Sequence, residues 1–451
     1  MRDGRFIRVL KRREVLALAF GAMIGWSWVA LAGVWLESAG SLGAIAAFLV
    51  GGVVIALIGL TYAELASAMP EVGGEHIYSL RALGPTASFV CTWAIIFGYF
   101  SVVAFEVVAL PTVMEYLFPD LKSGYLWTVA GYDVYFTWVL VGIVGSLVMT
   151  AINVVGIKTA AMAQTAVTVV ILLAGVLVLS GALFSGSAAN MQPVEVNGIA
   201  GMLTVLVMVP FLLVGFDVIP QAAEEIDLPF REIGRVLVLS VIMAVAWYAL
   251  IVLGVSLSLD SRALGNARLA TADAAAFTLG GSWAAKLVVV SGIAGILTSW
   301  NAFLVGGSRA LYALAHGGML PRFLGRLHPR FNTPANAVVL IGVLAMFAPL
   351  FGRQTLVWLV DAGGLGIVIA YAMVALSFIV LRRKEPEMPR PYRVPRGKIV
   401  GYAALVLSLG MMLLYMPGSP SALLWPNEWA IFLCGALLGG VFYLWARITR
   451  S

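Results

Sequence analysis

Twelve stretches of the chain are apolar almost throughout: about 15–40, 42–68, 88–117, 137–156, 161–184, 199–222, 236–259, 284–314, 335–351, 356–381, 399–416 and 428–447. A helix that crosses a bilayer takes about 20 mostly apolar residues. In hydrocarbon every backbone amide must find its partner inside the protein. Twelve such stretches in succession therefore predict packed helices in lipid. Composition excludes the watery alternative, because 61% of the 451 residues are hydrophobic and 11% charged, against about 25% charged in soluble domains. A soluble enzyme, a nucleic-acid binder and a disordered scaffold are excluded together. The longest breaks, near 118–136, 260–283 and 382–398, are too short for a soluble domain. The first apolar run is too long, and lacks the cleavage site, for a removable leader.

The net charge of +6 sits in the loops. With the N-terminus inside and the spans alternating, the inner segments hold 23 Lys/Arg and the outer ones five: Lys122, Arg262, Arg268, Lys286 and Arg353. The bias of basic residues toward the cytoplasm then predicts a multi-pass protein of the cell (inner or plasma) membrane with both termini cytoplasmic. Cys91 and Cys434 lie in apolar runs without metal spacing and read as small core residues. No cofactor is implied.

The chemistry lies where polar residues interrupt apolar runs. Gly21-Ala-Met-Ile-Gly-Trp-Ser-Trp-Val29 stands mid-way along the first span. Glycine weakens a helix by about 1 kcal/mol, and a broken helix at membrane depth must be covered by protein or line a cavity. The freed amides of a half-helix suit an anionic group and its freed carbonyls a cation. Gly25 serves equally well to let another helix approach closely. Pro210-Phe-Leu-Leu-Val-Gly-Phe-Asp-Val-Ile-Pro220 interrupts the sixth span with two prolines, a glycine and an acid. Asp217 there costs about 2.5–3.5 kcal/mol on insertion scales and needs a partner, a proton, or water and a ligand. Spans one and six open two five-helix sets, and matched interruptions in two halves point to a site at the membrane midplane.

Five blocks in order along the chain resemble the amino acid/polyamine/organocation superfamily of permeases. Gly25-x-Ser27 stands at their Gly-Ser/Thr-Gly break. Tyr62-Ala-Glu-Leu-Ala-Ser-Ala-Met-Pro-Glu-Val-Gly-Gly-Glu75 resembles the loop after their second helix, and Gly215-Phe-Asp-Val-Ile-Pro-Gln-Ala-Ala-Glu-Glu225 their sixth-helix break. Ser308-Arg-Ala-Leu-Tyr-Ala-Leu-Ala-His-Gly-Gly-Met-Leu-Pro321 is similar to the end of the eighth helix. Arg390-Pro-Tyr-Arg-Val-Pro395 is similar to the loop before the eleventh.

The resemblance implies an all-α integral membrane protein with 12 transmembrane helices and a leucine-transporter-type 5+5 inverted repeat, helices 1 and 6 being discontinuous. The first repeat would cover 15–184 and the second 199–381, with peripheral helices over 399–447, as one polytopic domain. It implies a substrate between the two breaks. The backbone around Ile24, Gly25, Trp26 and Ser27 would face a carboxylate, and the carbonyls near Gly215, Phe216 and Asp217 an amino group. Glu106 and Asn301 on the flanking third and eighth helices complete the set. Phe105, Phe211 and Phe216 are candidate gates.

The chain departs from the family pattern at Trp26 and Ser27. With Asp217, Glu106 and Glu37 adding negative charge, the pattern favours a substrate dominated by its ammonium. For coupling, a proton on Asp217 or Glu106, sodium on helix 1 carbonyls with Thr298 or Ser299, and ion-free exchange all stay open. The lysine that some relatives carry within the fifth helix is replaced by Ile171, and Lys158 reads as an anchor. His76, His316 and His328 all map to cytoplasmic loops. Inner salt bridges are expected from Glu64, Glu224 and Glu225 to Arg81, Arg231 or Arg309.

The expected function is secondary active transport of a small amine-bearing solute, an amino acid first, by alternating access. The alternatives are a decarboxylated amine (ethanolamine or a polyamine) and, from another class, a non-transporting membrane sensor. No nucleophile–base pair lies in the spans, so no enzyme is expected. The expected partners are the small solute, H+ or Na+, and the lipid bilayer, with no nucleic acid.

Overall fold

The computed structural model describes residue 6 and residues 8–448, with 157–163 as backbone only. Arg2, Arg5, Arg450 and the Lys158 side chain, all used in the charge count, lie outside the described part. The elements run α1 (Arg12–Ile24), α2 (Ser27–Ala30), α3 (Ala32–Ala68), α4 (Glu75–Leu83), α5 (Pro85–Leu117), β1 (Tyr125–Val129), β2 (Tyr132–Tyr135), α6 (Phe136–Val155) and α7 (Ile157–Ser185). They continue with α8 (Gly198–Leu212), α9 (Val218–Gln221), α10 (Phe230–Ser258), α11 (Ser261–Gly265), α12 (Ala270–Leu279), α13 (Ser282–His316), α14 (Ala335–Ala345), α15 (Thr355–Lys384), α16 (Gly397–Leu414) and α17 (Asn427–Ile448).

Among the described residues, nine helices are long and apolar enough to cross a bilayer. The chain is a helical, multi-pass membrane protein. The other apolar stretches are shorter because their sequences break them. Gly25 ends α1, and Gly40 (φ 73°) turns the chain sharply within α3. The sixth stretch stops at Leu212 and resumes at Val218, and the ninth ends in a short 3-10 turn at Ala348–Phe351.

The loop between the third and fourth apolar stretches is ordered as a two-stranded antiparallel hairpin, β1–β2. Its aromatic and β-branched residues suit a pleated strand, and Ala130 and Gly131 take the positive φ of a tight turn. The loop near 260–283 holds α11 and α12.

In the bundle, α3 lies along α10 and α8, α5 against α15 and α13, and α13 against α7 and α1. The interior is dense: Trp26, Trp28, Trp35, Trp138 and Trp300 are all fully buried. By contrast α17 leans on α15 and α5 with most of its surface outward. Cys91 is buried as expected, but Cys434 is exposed because it sits on this outer helix.

Candidate functional site

The first break is a glycine conformation. Gly25 has φ 43° and ψ −139°, which a Cβ would strain. Its freed carbonyls do not stay bare. Tyr248 Oη on α10 donates to Met23 O at 2.7 Å and also meets Ser27 Oγ at 2.8 Å. Thr298 Oγ1 on α13 donates to Gly21 O at 3.2 Å, and Gln164 Nε2 on α7 to Ala17 O at 3.4 Å. Thr271 Oγ1 on α12 donates to Trp28 O at 2.6 Å. Side chains from α10, α12 and α13 thus bond carbonyls at or beside the break, as backbone at membrane depth requires, while Gln164 meets a carbonyl within α1.

The second break spans 213–217. Gly215 (φ +135°) lies directly against the last turn of α1: a Cβ there would stand 2.7 Å from Ala22 Cβ and 2.9 Å from Met23 N. Asp217 Oδ1 accepts from Gly215 N at 2.9 Å, so the acid caps its own break. The two interruptions predicted from glycine, proline and acid are therefore in contact.

Beside them is a small buried cavity of about 20 Å³ bordered by Gly25, Trp26, Ser27, Phe105, Glu106, Phe211, Ser299 and Phe303 among others. Glu106 is buried, and its Oε2 has no hydrogen-bond partner. Its Oε1 stands 3.1 Å from where a Gly25 Cβ would be. The rings of Phe105 and Phe211 meet edge-on at 5.7 Å. The Trp26 indole lies over Gly292 on α13, where a Cβ would meet it at 2.5 Å.

The remaining residues picked from the sequence point elsewhere. Ile24 is buried outside the cavity lining. Phe216 packs between Tyr62 and Tyr371, at 5.3 and 5.5 Å between ring centroids. Asp217 Oδ2 accepts from Tyr371 Oη at 3.4 Å, away from the cavity. Asn301 Nδ2 donates to Gln164 Oε1 at 2.7 Å. Thr298 Oγ1 serves its own helix through Gly295 O at 2.9 Å as well as Gly21 O. Glu37 is exposed.

Sequence reading passed over Tyr248, Gln164, Phe303 and Tyr371. The reasoning applied to Asp217, that a polar group inside an apolar run needs a partner, would have flagged three of them.

At the end of the bundle that carries the start of α1, charged groups form a buried closure. Glu225 pairs with Arg309 at 2.9 Å, both almost fully buried, and the Arg309 guanidinium lies 5.7 Å from the Phe6 ring centroid. Leu10 bridges Ile226 in parallel, with Val9 N and Leu10 N donating to Glu225 O at 2.9 and 3.0 Å. The other expected pairings differ. Glu64 binds Arg382 and Arg390, Arg81 binds Glu385, and Glu224 takes Val72 N. Arg231 is exposed. The basic loop 382–398 folds back under α3 and supplies partners that loop-by-loop matching assigned to nearer arginines.

The sequence profile of the family described as amino acid permease matches residues 14–450. The chain belongs to this family, within the amino acid/polyamine/organocation superfamily. It is similar to the branched-chain amino acid permease of Bacillus subtilis, with 25% identity covering 90% of this chain and 88% of that one. A methylthioribose transporter of the same organism is 27% identical, covering 98% and 94%. An aspartate-proton symporter, also from Bacillus subtilis, is 24% identical, covering 90% and 79%. The family is one of permeases that move amino acids or similar small molecules.

Proposed function

We propose that this permease is a secondary active transporter of an amino acid, working by alternating access with its substrate held beside the breaks at Gly25 and Gly215. The observation that carries the reading is the juxtaposition of those breaks beside a small buried cavity holding one unpaired carboxylate oxygen, Glu106 Oε2. Glu106 suits an ammonium. The Ser27 and Trp28 amides precede the first bonded amide of α2, Val29 N, which donates to Trp26 O at 2.9 Å, and these two suit a carboxylate. Together they favour a zwitterion over a decarboxylated amine. The cavity as it stands admits about one water, so the reading takes this arrangement as an occluded state that must widen around its cargo.

The reading includes twelve crossings in an inverted 5+5 repeat, in the cell membrane, with both termini cytoplasmic. The packing supports the repeat: α8 lies along α3 as α1 lies along α10, and α5 meets α15 as α13 meets α7. The closure built on Glu225–Arg309 is then the inner gate.

The test is counterflow in proteoliposomes. Vesicles preloaded with each unlabelled L-amino acid should take up trace labelled amino acid through the full chain, while ethanolamine and putrescine should not exchange. Exchange of the decarboxylated amines alone would replace the substrate class. Absence of exchange with every solute, despite binding seen as thermal stabilisation, would favour a sensor.

A further inference from the structure

Between the second break and the Glu225–Arg309 closure lies a buried polar cluster that the substrate cavity does not use. At its centre is Glu75, the first residue of α4 and fully buried. Gln221 Nε2 donates to Glu75 Oε2, while Glu75 Oε1 and Gln221 Oε1 have no partner. The Tyr62 hydroxyl lies beside the Glu75 carboxyl, and its ring meets Tyr371 edge-on at 5.8 Å. Tyr371 in turn donates to Asp217 Oδ2, and the Tyr99 hydroxyl lies beside the same carboxyl. The Tyr62, Tyr78 and Tyr99 hydroxyls are buried, and none completes a hydrogen bond of full geometry among the described residues.

Among the described residues, the groups facing Glu75 include no cation. They are Tyr62 on α3, Tyr78 and His76 on α4, Cys91 and Tyr99 on α5, Asp217 at the second break, Gln221 on α9, Tyr371 on α15, and Glu71 ahead of α4, which faces Tyr78. Burial holds the His76 imidazole down to about 4, so it is neutral. Glu64, Glu225 and Glu385 each have an arginine, whereas the described residues give Glu75 and Asp217 none. A carboxylate buried without a counter-charge is costly and takes up a proton instead. Burial, with Asp217 second, pushes the Glu75 carboxyl well above its ordinary range.

We propose that Glu75 and Asp217 form a two-carboxyl proton site, joined through the hydroxyls of Tyr62, Tyr99 and Tyr371, which delivers the coupling proton to the inner face. The proposal rests on the carrier reading above. When the inner end opens, water reaches Glu75, and its O–H bond breaks to give a proton to that water. The Asp217 proton follows through the phenols and the entering water. Each hydroxyl accepts one proton and passes on its own, so the phenols end neutral, Asp217 ends anionic and Glu75 is reprotonated. The buried pair holds one more proton closed than open, so the closed form is favoured at low pH and lost as pH rises through the closed-state titration of the pair.

The experiment uses the full chain in proteoliposomes and a labelled L-amino acid that wild type exchanges by counterflow. With the outside one pH unit more acid, wild type should accumulate it about tenfold, since one unit is worth about 1.4 kcal/mol. Glu75→Gln should accumulate none above equilibration while counterflow continues near the wild-type rate. Tyr62→Phe should slow gradient-driven uptake and spare counterflow, which keeps the test open if Glu75→Gln folds poorly. Wild-type accumulation in Glu75→Gln, or Tyr62→Phe indistinguishable from wild type, overturns the proposal. So does wild-type counterflow that no pH gradient can drive. Lack of counterflow in wild type would instead remove the carrier reading.

Discussion

Gly295→Ala should abolish uptake while leaving the protein folded in the membrane. The added methyl would stand 1.9 Å from Gly25 O and 2.8 Å from Gly25 C, backbone atoms of the first break. Neither side can turn away as a flexible side chain would, so α13 and the break must part. A displacement of about 1 Å at a positioned site can cost roughly 100-fold in rate, and here the break itself moves. Gly292→Ala, one helical turn away, is the control. Its methyl meets the Trp26 indole at 2.5 Å, a ring that can rotate about χ1 and χ2. Uptake by that variant should fall less. The check is initial-rate uptake of the exchanged amino acid, normalised to folded protein by size-exclusion profile.

Glu64→Ala should be the most destabilising single change at the basic end of the bundle. Its carboxylate accepts from Arg382 Nε at 2.9 Å, lies 3.0 Å from Arg390 Nε, and also accepts from Val394 N at 2.8 Å. Glu64 side-chain exposure is 1%, and that of Arg390 is 6%. Removing the acid takes from two guanidinium groups the carboxylate they share, and loss of one partner from a buried pair costs about 3–5 kcal/mol. Because one carboxylate ties the end of α3 to α15 and to the loop ahead of α16, the loop should also become open to protease. Thermal unfolding in detergent and limited proteolysis within 385–396 read both effects. Glu64→Gln, which keeps hydrogen-bonding atoms without the charge, should fall between wild type and alanine.

What the sequence disclosed and what it withheld follow from the range of the interactions. Apolar runs are local, so the helices stood out, and Gly25, Gly215, Pro210 and Asp217 marked breaks because each offends a helix or a bilayer on its own account. The direction of a side chain is not local. Asp217 reads as facing a substrate until Gly215 N and Tyr371 are seen to hold it. Glu64 finds Arg382 across 318 residues of sequence, so proximity in the chain misdirected its pairing. Glu75 stood inside a quoted motif as one acid among several in a loop. Only the fold shows that α4 carries it into the protein beneath the second break.

The reading of the site stands on a central cavity that substrate enters at the Gly25 break. The most direct measurement is substrate protection of Ser27→Cys, in a background where Cys91 and Cys434 are replaced by serine. A small water-soluble thiol reagent should label this cysteine, and the amino acid that wild type exchanges should slow the labelling at concentrations that saturate uptake. A variant that still transports, yet is labelled at the same rate with and without substrate, would place the cargo elsewhere.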